Sequence, residues 1–288
     1  MSSRVQPLLS RAAKELYPLI TNELSDQSPK KYNNDAWSLS ELDFWKNIDL
    51  PNALRERHQK DKDLHITKTE LTLLMDWKLG KGKFRPNLSK LISSNSDEAV
   101  IEISREGFAV FTKQISLTVA DNSPQTFLAN YKKTTRDALK LLCQLKGVGP
   151  ATASLLLSLL SKVTMFAPPF FSDESFMYFV RDVLRPLQPI KYNVKEYIEE
   201  FIPVVIGLST DDKFVSPNQL EQGAWALKTF DLYKTDRLAD IKVPFAIEEN
   251  FLYSFKDAPK YLAGHQSKKR SAVENDERII KKKHDVRS

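Results

Sequence analysis

The stretch 141–160, LLCQLKGVGPATASLLLSLL, constrains the fold of this chain more than any other segment. Ahead of its glycines, apolar residues recur at the i, i+3, i+4 and i+7 spacing of one helix face, namely Ala138, Leu141, Leu142 and Leu145. Gly147 and Gly149 can adopt positive φ without steric cost, and Pro150 has its φ preset for a first helical position. The stretch therefore predicts a helix, a tight hairpin and a second helix, with Val148 turned into the core.

The segment LKGVGPATA resembles the helix-hairpin-helix element of nucleic-acid-binding proteins, and the sequence after it resembles the DNA glycosylase superfamily built on that element. Backbone N–H groups at such a hairpin, backed by the positive end of a helix dipole, suit a phosphate. The structural alternative is an ordinary helix C-cap followed by a proline-started helix. The DNA-binding residues that the resemblance implies are Lys146, Gly147, Val148, Gly149, Ala151 and Thr152.

A carboxylate follows the hairpin where the resemblance requires one. In the DNA glycosylase superfamily an aspartate that faces the base pocket begins the next helix, a little over twenty residues on. Asp173 stands 24 residues after Gly149 and directly follows Ser172, a helix N-cap residue. The resemblance implies that Asp173 stabilises the cationic sugar that forms as the base leaves, or orients the attacking water. Glu174 is the alternative catalytic carboxylate, and the helix dipole favours acidic residues here even without chemistry.

Two departures from that family narrow the expected chemistry. Bifunctional glycosylases carry a nucleophilic lysine two positions past the second hairpin glycine, where this chain has Ala151, so lyase activity is not expected. The usual Asp-Thr-His run after the aspartate is replaced by Glu-Ser-Phe. The sequence thus predicts a monofunctional DNA N-glycosylase, and the alternative is a non-catalytic nuclear DNA- or protein-binding protein that retains the fold. Aromatic residues that would wall a base pocket, or simply pack in the core, are Phe166, Phe170, Phe171 and Tyr178.

A basic, glycine-rich segment precedes the hairpin in the chain. A capping box at 67–70, TKTE, predicts a helix from Glu70 to Leu79 that ends at Gly80. The segment 80–86, GKGKFRP, then reads as a flexible loop whose cations, Lys81, Lys83 and Arg85, would contact a sugar-phosphate strand. The alternative is a solvated turn with Phe84 in the core.

Most of the remaining segments are predicted to be helical. A helix is expected at about 7–22, and a second capping box, SLSE at 38–41, begins another. Asn95 and Glu98 have the spacing of an N-cap and its third helical residue. At 113–121 alternating apolar residues fit either a strand or a helix.

Composition excludes several classes of protein. With one cysteine, Cys143, the chain can form neither an intrachain disulfide nor an iron-sulfur cluster held by four thiolates of one chain. The four histidines do not have the spacing of metal ligands. We therefore expect no metal site and no cofactor. The longest apolar run is too short for a membrane span, so no membrane association is expected either.

Positive charge is concentrated at the C-terminal end. Of the net charge of +6, residues 264–288 carry +4, because they hold eight Lys and Arg against four Asp and Glu. Few large apolar residues occur there, which predicts disorder. Two basic clusters resemble a bipartite nuclear localisation signal, with a solvated tail or DNA-contacting arm as the alternative; they are Lys268, Lys269, Arg270 and Lys281, Lys282, Lys283.

Together these patterns predict an all-α, helix-hairpin-helix, DNA-glycosylase-like domain over 1–263, with its hairpin core at about 134–184 and a disordered basic tail at 264–288. We expect a nuclear monomer whose partners are DNA and a nuclear import carrier.

Overall fold

A computed structural model describes residues 5–82, 85–119, 124–184, 188–211, 213–246, 254–256 and 260–261. Within these ranges the protein is mostly helical, and its extended pairing is limited to one isolated bridge between Tyr32 and Trp37. The all-α prediction is therefore confirmed. The predicted tail, with both basic clusters, lies outside the described residues, as does Lys83.

The described residues of the first half of the chain form five helical segments. Helix α1 spans 5–26 and comprises Val5–Arg11, a π-helical turn at Ala12–Leu16 and Tyr17–Asp26; α2 spans 39–61 and comprises Leu39–Phe44, a π-helical turn at Trp45–Asp49 and Leu50–Asp61. They are followed by α3 (Lys68–Lys81), α4 (Leu88–Ser93) and α5 (Asp97–Val119).

Five more named helices lie in the described part of the second half. Helix α6 is Pro124–Leu142, and α7 is Pro150–Ser158 with a 3₁₀ turn at Leu159–Lys162. Helix α8 spans 173–184 and comprises Asp173–Phe176, a π-helical turn at Met177–Arg181 and Asp182–Leu184. Helix α9 spans 196–209, with a π-helical Glu196–Phe201 followed by Ile202–Ser209, and α10 is Pro217–Tyr233.

Several helix starts agree with the sequence predictions. Both predicted capping boxes form. The hydroxyls of Ser38 and Thr67 each accept from the backbone N–H of the Glu three residues later, and the side chain of that Glu accepts from the backbone N–H of the cap residue. Ser172 likewise accepts from the Ser175 N–H at the start of α8. The ambiguous region 113–121 is helical as far as Val119.

Two predicted boundaries are wrong. Helix α3 continues through Gly80 to Lys81, and Gly82 is its C-cap. At Gly80 a Cβ would lie 2.5 Å from the hydroxyl of Tyr32, so the glycine serves close packing rather than helix termination. Ser96, not Asn95, caps α5, since the Ala99 N–H donates to the Ser96 hydroxyl. The Asn95 side chain instead forms hydrogen bonds to the backbone of the hairpin.

The helices enclose one continuous apolar core. Helices α5 and α6 pack along each other, α10 packs against α1 and α8, and α3 packs against α2 and α4. This arrangement brings the C-terminal end of α3, the start of α8 and the middle of α10 to the same side of the 143–149 turn, where they surround a cavity.

Candidate nucleic-acid and catalytic site

The hairpin forms as predicted in most respects. Helix α6 ends at Leu142, and Pro150 is the first residue of α7. Gly147 has a φ of +80°, in the left-handed region that favours glycine. Gly149, which could also adopt a positive φ, does not use that region: with φ −96° and ψ −177° it is the extended N-cap of α7.

The turn is held rigidly from inside the protein. Val148 is 5% exposed and belongs to the core, as predicted. The side chain of Asn95 binds the backbone of Lys146 in both directions: its Oδ1 accepts from the Lys146 N–H at 2.8 Å, and its Nδ2 donates to the Lys146 carbonyl at 3.0 Å. The hairpin is thereby fixed to the segment between α4 and α5, a contact that no local pattern indicates.

These internal bonds limit which amides can face a ligand. The N–H groups of Lys146 and Val148 donate to Asn95 and to the Leu145 carbonyl, so these two of the hairpin N–H groups predicted to suit a phosphate are already bonded within the protein. The first N–H groups of a helix have no acceptor within that helix, so Gly149 and the first turn of α7 present the candidate donors. The side chain of Lys146 is exposed beside them.

A cavity of about 310 Å³ opens next to the hairpin. Its wall includes Gly147, Gly149, Ala151 and Thr152 from the hairpin, and Asp173 and Glu174 from α8. A second cavity of about 660 Å³ adjoins it and shares both carboxylates. The structure therefore brings the predicted phosphate-binding turn and both predicted carboxylates to one space.

Asp173 is oriented by a tyrosine from a distant segment. The hydroxyl of Tyr192 donates to Asp173 Oδ2 at 2.7 Å. Tyr192 itself has a φ of +54°, a conformation that costs energy for a residue with a Cβ. Such strain persists where the surrounding structure imposes it, and here it sets the tyrosine against the carboxylate.

Glu174 is held in a different electrostatic environment. Burial raises the pKa of Glu174 to about 7, and the adjacent Asp173 and the more distant Glu221 add to the rise, while Lys81 opposes it. Glu174 therefore exchanges its proton near neutral pH. A cavity carboxylate whose pKa is raised by burial is typical of sites that perform acid and base chemistry.

Lys81 lines the cavity and forms a buried ion pair with Asp43. Lys81 Nζ lies 3.1 Å from Asp43 Oδ1, and the lysine side chain is 5% exposed. Three rings surround the ammonium, with centroid distances of 4.0 Å for Tyr17, 5.3 Å for Trp77 and 3.7 Å for Trp225. Lys81 is thus the last residue of α3 and its side chain is buried, so the prediction that it extends from a flexible loop is wrong.

The other cations of the basic segment differ from Lys81. Arg85 is exposed, borders the cavity, and its guanidinium carbon lies 5.5 Å from the ring centroid of Tyr192. Arg85 therefore stands beside the same tyrosine that holds Asp173. Lys83 is outside the described residues, so the structure gives no position for it.

Lys78, to which the sequence patterns assigned no site role, also lines the cavity. Lys78 Nζ donates to the Thr152 hydroxyl at 2.7 Å, which joins the end of α3 to the hairpin. Burial lowers the pKa of Lys78 to about 8; Asp173 opposes this shift and Arg85 adds to it. A signal existed, because Lys78 occupies the position i+4 from Leu74 and i+7 from Leu71 on the apolar face of α3.

The aromatic walls match the prediction in part. Phe170 and Phe171 border the cavity, whereas the core residues Phe166 and Tyr178 do not. Trp77, Trp225 and Tyr192 supply aromatic surface that the sequence analysis had not assigned to a site. Lys46 also reaches this wall, 4.6 Å from the Trp77 ring centroid.

Comparison of the chain with protein-family models, with curated proteins and with solved structures gives no match. In the described part of the chain, no helix combines the length and apolar character needed to cross a bilayer. The described His, Cys, Asp and Glu side chains form no group of three that would hold a metal ion.

Proposed function

We propose that this protein binds DNA through the 146–152 hairpin and releases a base from its deoxyribose, as a helix-hairpin-helix DNA N-glycosylase. One observation carries the proposal: the hairpin glycines and Asp173 border the same cavity. A phosphate bound at the start of α7 would place the adjoining sugar at the mouth of that cavity, within the reach of the carboxylate.

The hairpin suits a phosphodiester for electrostatic reasons. Gly149 has no side chain to shield the backbone, and the nine residues of α7 direct the positive end of their dipole at this point. Lys146 in the hairpin and Arg85 at the cavity are exposed and would contribute charge-assisted contacts to neighbouring phosphates. The remainder of the domain carries little net charge, so such local groups must provide the affinity.

The cavity suits a base taken out of the duplex stack. Enzymes that act on a base extrude it into a pocket and hold it between aromatic side chains. Trp77, Phe170 and Tyr192 supply such surfaces around the 310 Å³ space. Energy spent on unstacking is lowest for a damaged or mismatched base, which gives this type of site its selectivity.

Asp173 is assigned to the chemical step. Positive charge develops on the sugar as its bond to the base breaks, and a fixed carboxylate lowers the energy of that state. The Tyr192 hydroxyl holds Asp173 in place without neutralising it. Glu174, which exchanges its proton near neutral pH, is the alternative carboxylate and is placed to protonate the departing base or orient water.

The decisive experiment is a base-release assay on duplexes that carry a panel of damaged and mismatched bases. We expect Asp173→Asn to reduce base release at least 100-fold while duplex affinity stays within about 3-fold of the unmodified protein, because a transition-state interaction is removed. Asp240→Asn, at an exposed aspartate outside the cavity, is the matched control. Duplex binding without base release from any substrate would favour the non-catalytic DNA-binding alternative.

We also propose that the two basic clusters, at 268–270 and 281–283, direct nuclear import. Removal of residues 267–288 from a fluorescently tagged protein should shift it out of the nucleus, while duplex affinity of the purified protein changes little. Unchanged nuclear accumulation would remove this assignment.

A further inference from the structure

The hairpin has no lysine at position 151, yet an amine reaches the adjoining residue from another helix. Lys78 Nζ lies 2.7 Å from the hydroxyl of Thr152, next to Ala151, and Lys78 borders the cavity. Asp173 and Arg85 are the charged groups that act on it. The amine is therefore bonded to the hairpin and borders the same cavity as the proposed catalytic carboxylate.

We propose that Lys78 is the nucleophile of a lyase step, in which its amine forms an imine with the aldehyde of an abasic deoxyribose. This inference rests on the DNA site proposed above but not on base release, since an abasic site produced by any other means has the same aldehyde. It replaces the expectation of no lyase activity, which depended on the residue at position 151 alone.

The surroundings of Lys78 suit a nucleophilic amine. An amine attacks only in its neutral form, and desolvation is a general way to make that form available. Burial is the largest influence on this lysine, whose pKa is about 8, so roughly a tenth of the amine is neutral at pH 7. Its hydrogen-bond partner Thr152 is uncharged, and Asp173 is the acidic group that acts on the amine and favours its protonated form.

The two other buried lysines of the cavity are less suited to this role. Lys81 is held by Asp43 and enclosed by three rings. Lys46 donates to Asn47 Oδ1 at 3.0 Å and lies over the Trp77 ring. Lys78 is the cavity lysine bonded to a hairpin residue, where a bound phosphodiester would present its sugar.

The reaction requires no external oxidant or reductant. The nitrogen lone pair of neutral Lys78 attacks C1′ of the ring-opened sugar, the carbonyl oxygen takes up a proton, and the carbinolamine loses water to give a protonated imine. A base removes a C2′ proton, those electrons form the C2′=C3′ bond, and the C3′–O bond breaks with departure of the 3′ phosphate. Water then hydrolyses the imine and regenerates the amine. Asp173, which influences Lys78 electrostatically, is the candidate proton acceptor.

The test uses a duplex with a preformed abasic site, the full-length protein and sodium borohydride, which delivers hydride to C1′ and converts the imine into a stable secondary amine. We expect a covalent adduct that maps to the peptide containing Lys78. Lys78→Gln, which can still bond to Thr152, should reduce adduct formation and strand cleavage at least 100-fold. Lys78→Arg, which keeps the charge, should bind abasic DNA normally and form no adduct.

Lys162→Gln is the matched control, because that lysine is exposed and outside the cavity. Lys162→Gln should form the borohydride-trapped adduct in the same amount as the unmodified protein. An adduct on a different lysine, or undiminished trapping by Lys78→Gln, would overturn the proposal, and peptide mapping of the unmodified protein decides the matter even if a variant fails to fold. Base release without trapping would remove only the lyase step, whereas trapping without base release would remove only the glycosylase activity.

Discussion

The two walls of the cavity are built in opposite ways. The hairpin wall comes from a few consecutive residues whose backbone faces outward, with Asn95 as its distant support. The inner wall includes Tyr17, Lys81 and Trp225, which belong to α1, α3 and α10, and its Lys81 forms a buried ion pair with Asp43 of α2. The hairpin wall presents backbone N–H groups, with their partial positive charge, to solvent. The inner wall places the full charges of Lys81 and Asp43 inside the protein. A local motif can thus indicate where a ligand binds, while the chemistry of the pocket depends on the assembled fold.

The largest effect should follow from breaking the buried ion pair. Lys81→Met would leave the Asp43 carboxylate buried without its cation, although Tyr17 and Trp77 still donate hydrogen bonds to it. Burial favours a raised pKa for Asp43, and Lys81 with those two donors outweighs it and lowers the pKa. We expect a loss of about 3–5 kcal/mol in the free energy of unfolding, measured by denaturant titration.

An exposed pair provides the comparison for that loss. Lys133 and Asp137 form an i,i+4 ion pair with side chains 68% and 44% exposed. Lys133→Met should cost no more than about 0.5 kcal/mol, because water screens the pair. The double variant Asp43→Leu with Lys81→Met should recover part of the stability lost in Lys81→Met. Equal costs for the two single lysine variants would show that the inner wall is not a low-dielectric site.

The next effect depends on pH and concerns Glu174. Its folded pKa of about 7 is above the usual 4.5, so folding favours the protonated form. Its contribution to stability is therefore complete below about pH 4.5 and is lost as the pH rises through 7. Glu174→Gln, which cannot ionise, should be more stable than the unmodified protein by up to about 3 kcal/mol at pH 9 and nearly equal to it at pH 4.

Thermal or denaturant unfolding of both proteins across this pH range measures the difference. The charged groups that act on Glu174 are Asp173, Glu221 and Lys81, and each is retained in both proteins. Their titration therefore cancels to first order in the comparison. A difference between the two proteins that stays constant from pH 4 to pH 9 would contradict the assignment of a buried, proton-exchanging carboxylate.

The same contrast explains how much the sequence could predict. The two capping boxes, the start of α7 at Pro150 and the burial of Val148 depend on neighbours within a few residues, and those predictions are confirmed. The burial of Lys81 and Lys78 depends on residues contributed by other helices, which no local pattern identifies. A lysine on the apolar face of a helix was the available signal. Such a position predicts that the amine is buried, but it does not predict which groups surround the amine.

The hairpin wall can be tested through a pair of glycines that differ in conformation. At Gly147, with φ +80°, a Cβ would lie 3.1 Å from the Leu91 Cβ. Gly147→Ala should therefore lower the free energy of unfolding by about 1–2 kcal/mol, since an alanine must adopt a left-handed conformation and displace a neighbour. Chemical denaturation measures this loss. A Gly147→Ala protein as stable as the unmodified one would show that the turn can relax into another conformation.

Gly149→Ala is the matched variant and should have the smallest effect on the fold. Gly149 has a φ of −96°, and no atom lies within 4 Å of a Cβ built there. Stability should be unchanged or up to about 1 kcal/mol higher, because alanine fits this conformation and restricts the unfolded chain. Duplex affinity should nevertheless fall about 10-fold or more, since the new methyl group would stand where a phosphate must approach the α7 amides. Fluorescence anisotropy with a labelled duplex measures this. Unchanged affinity in so well folded a variant would mean that DNA does not contact the hairpin backbone at this position.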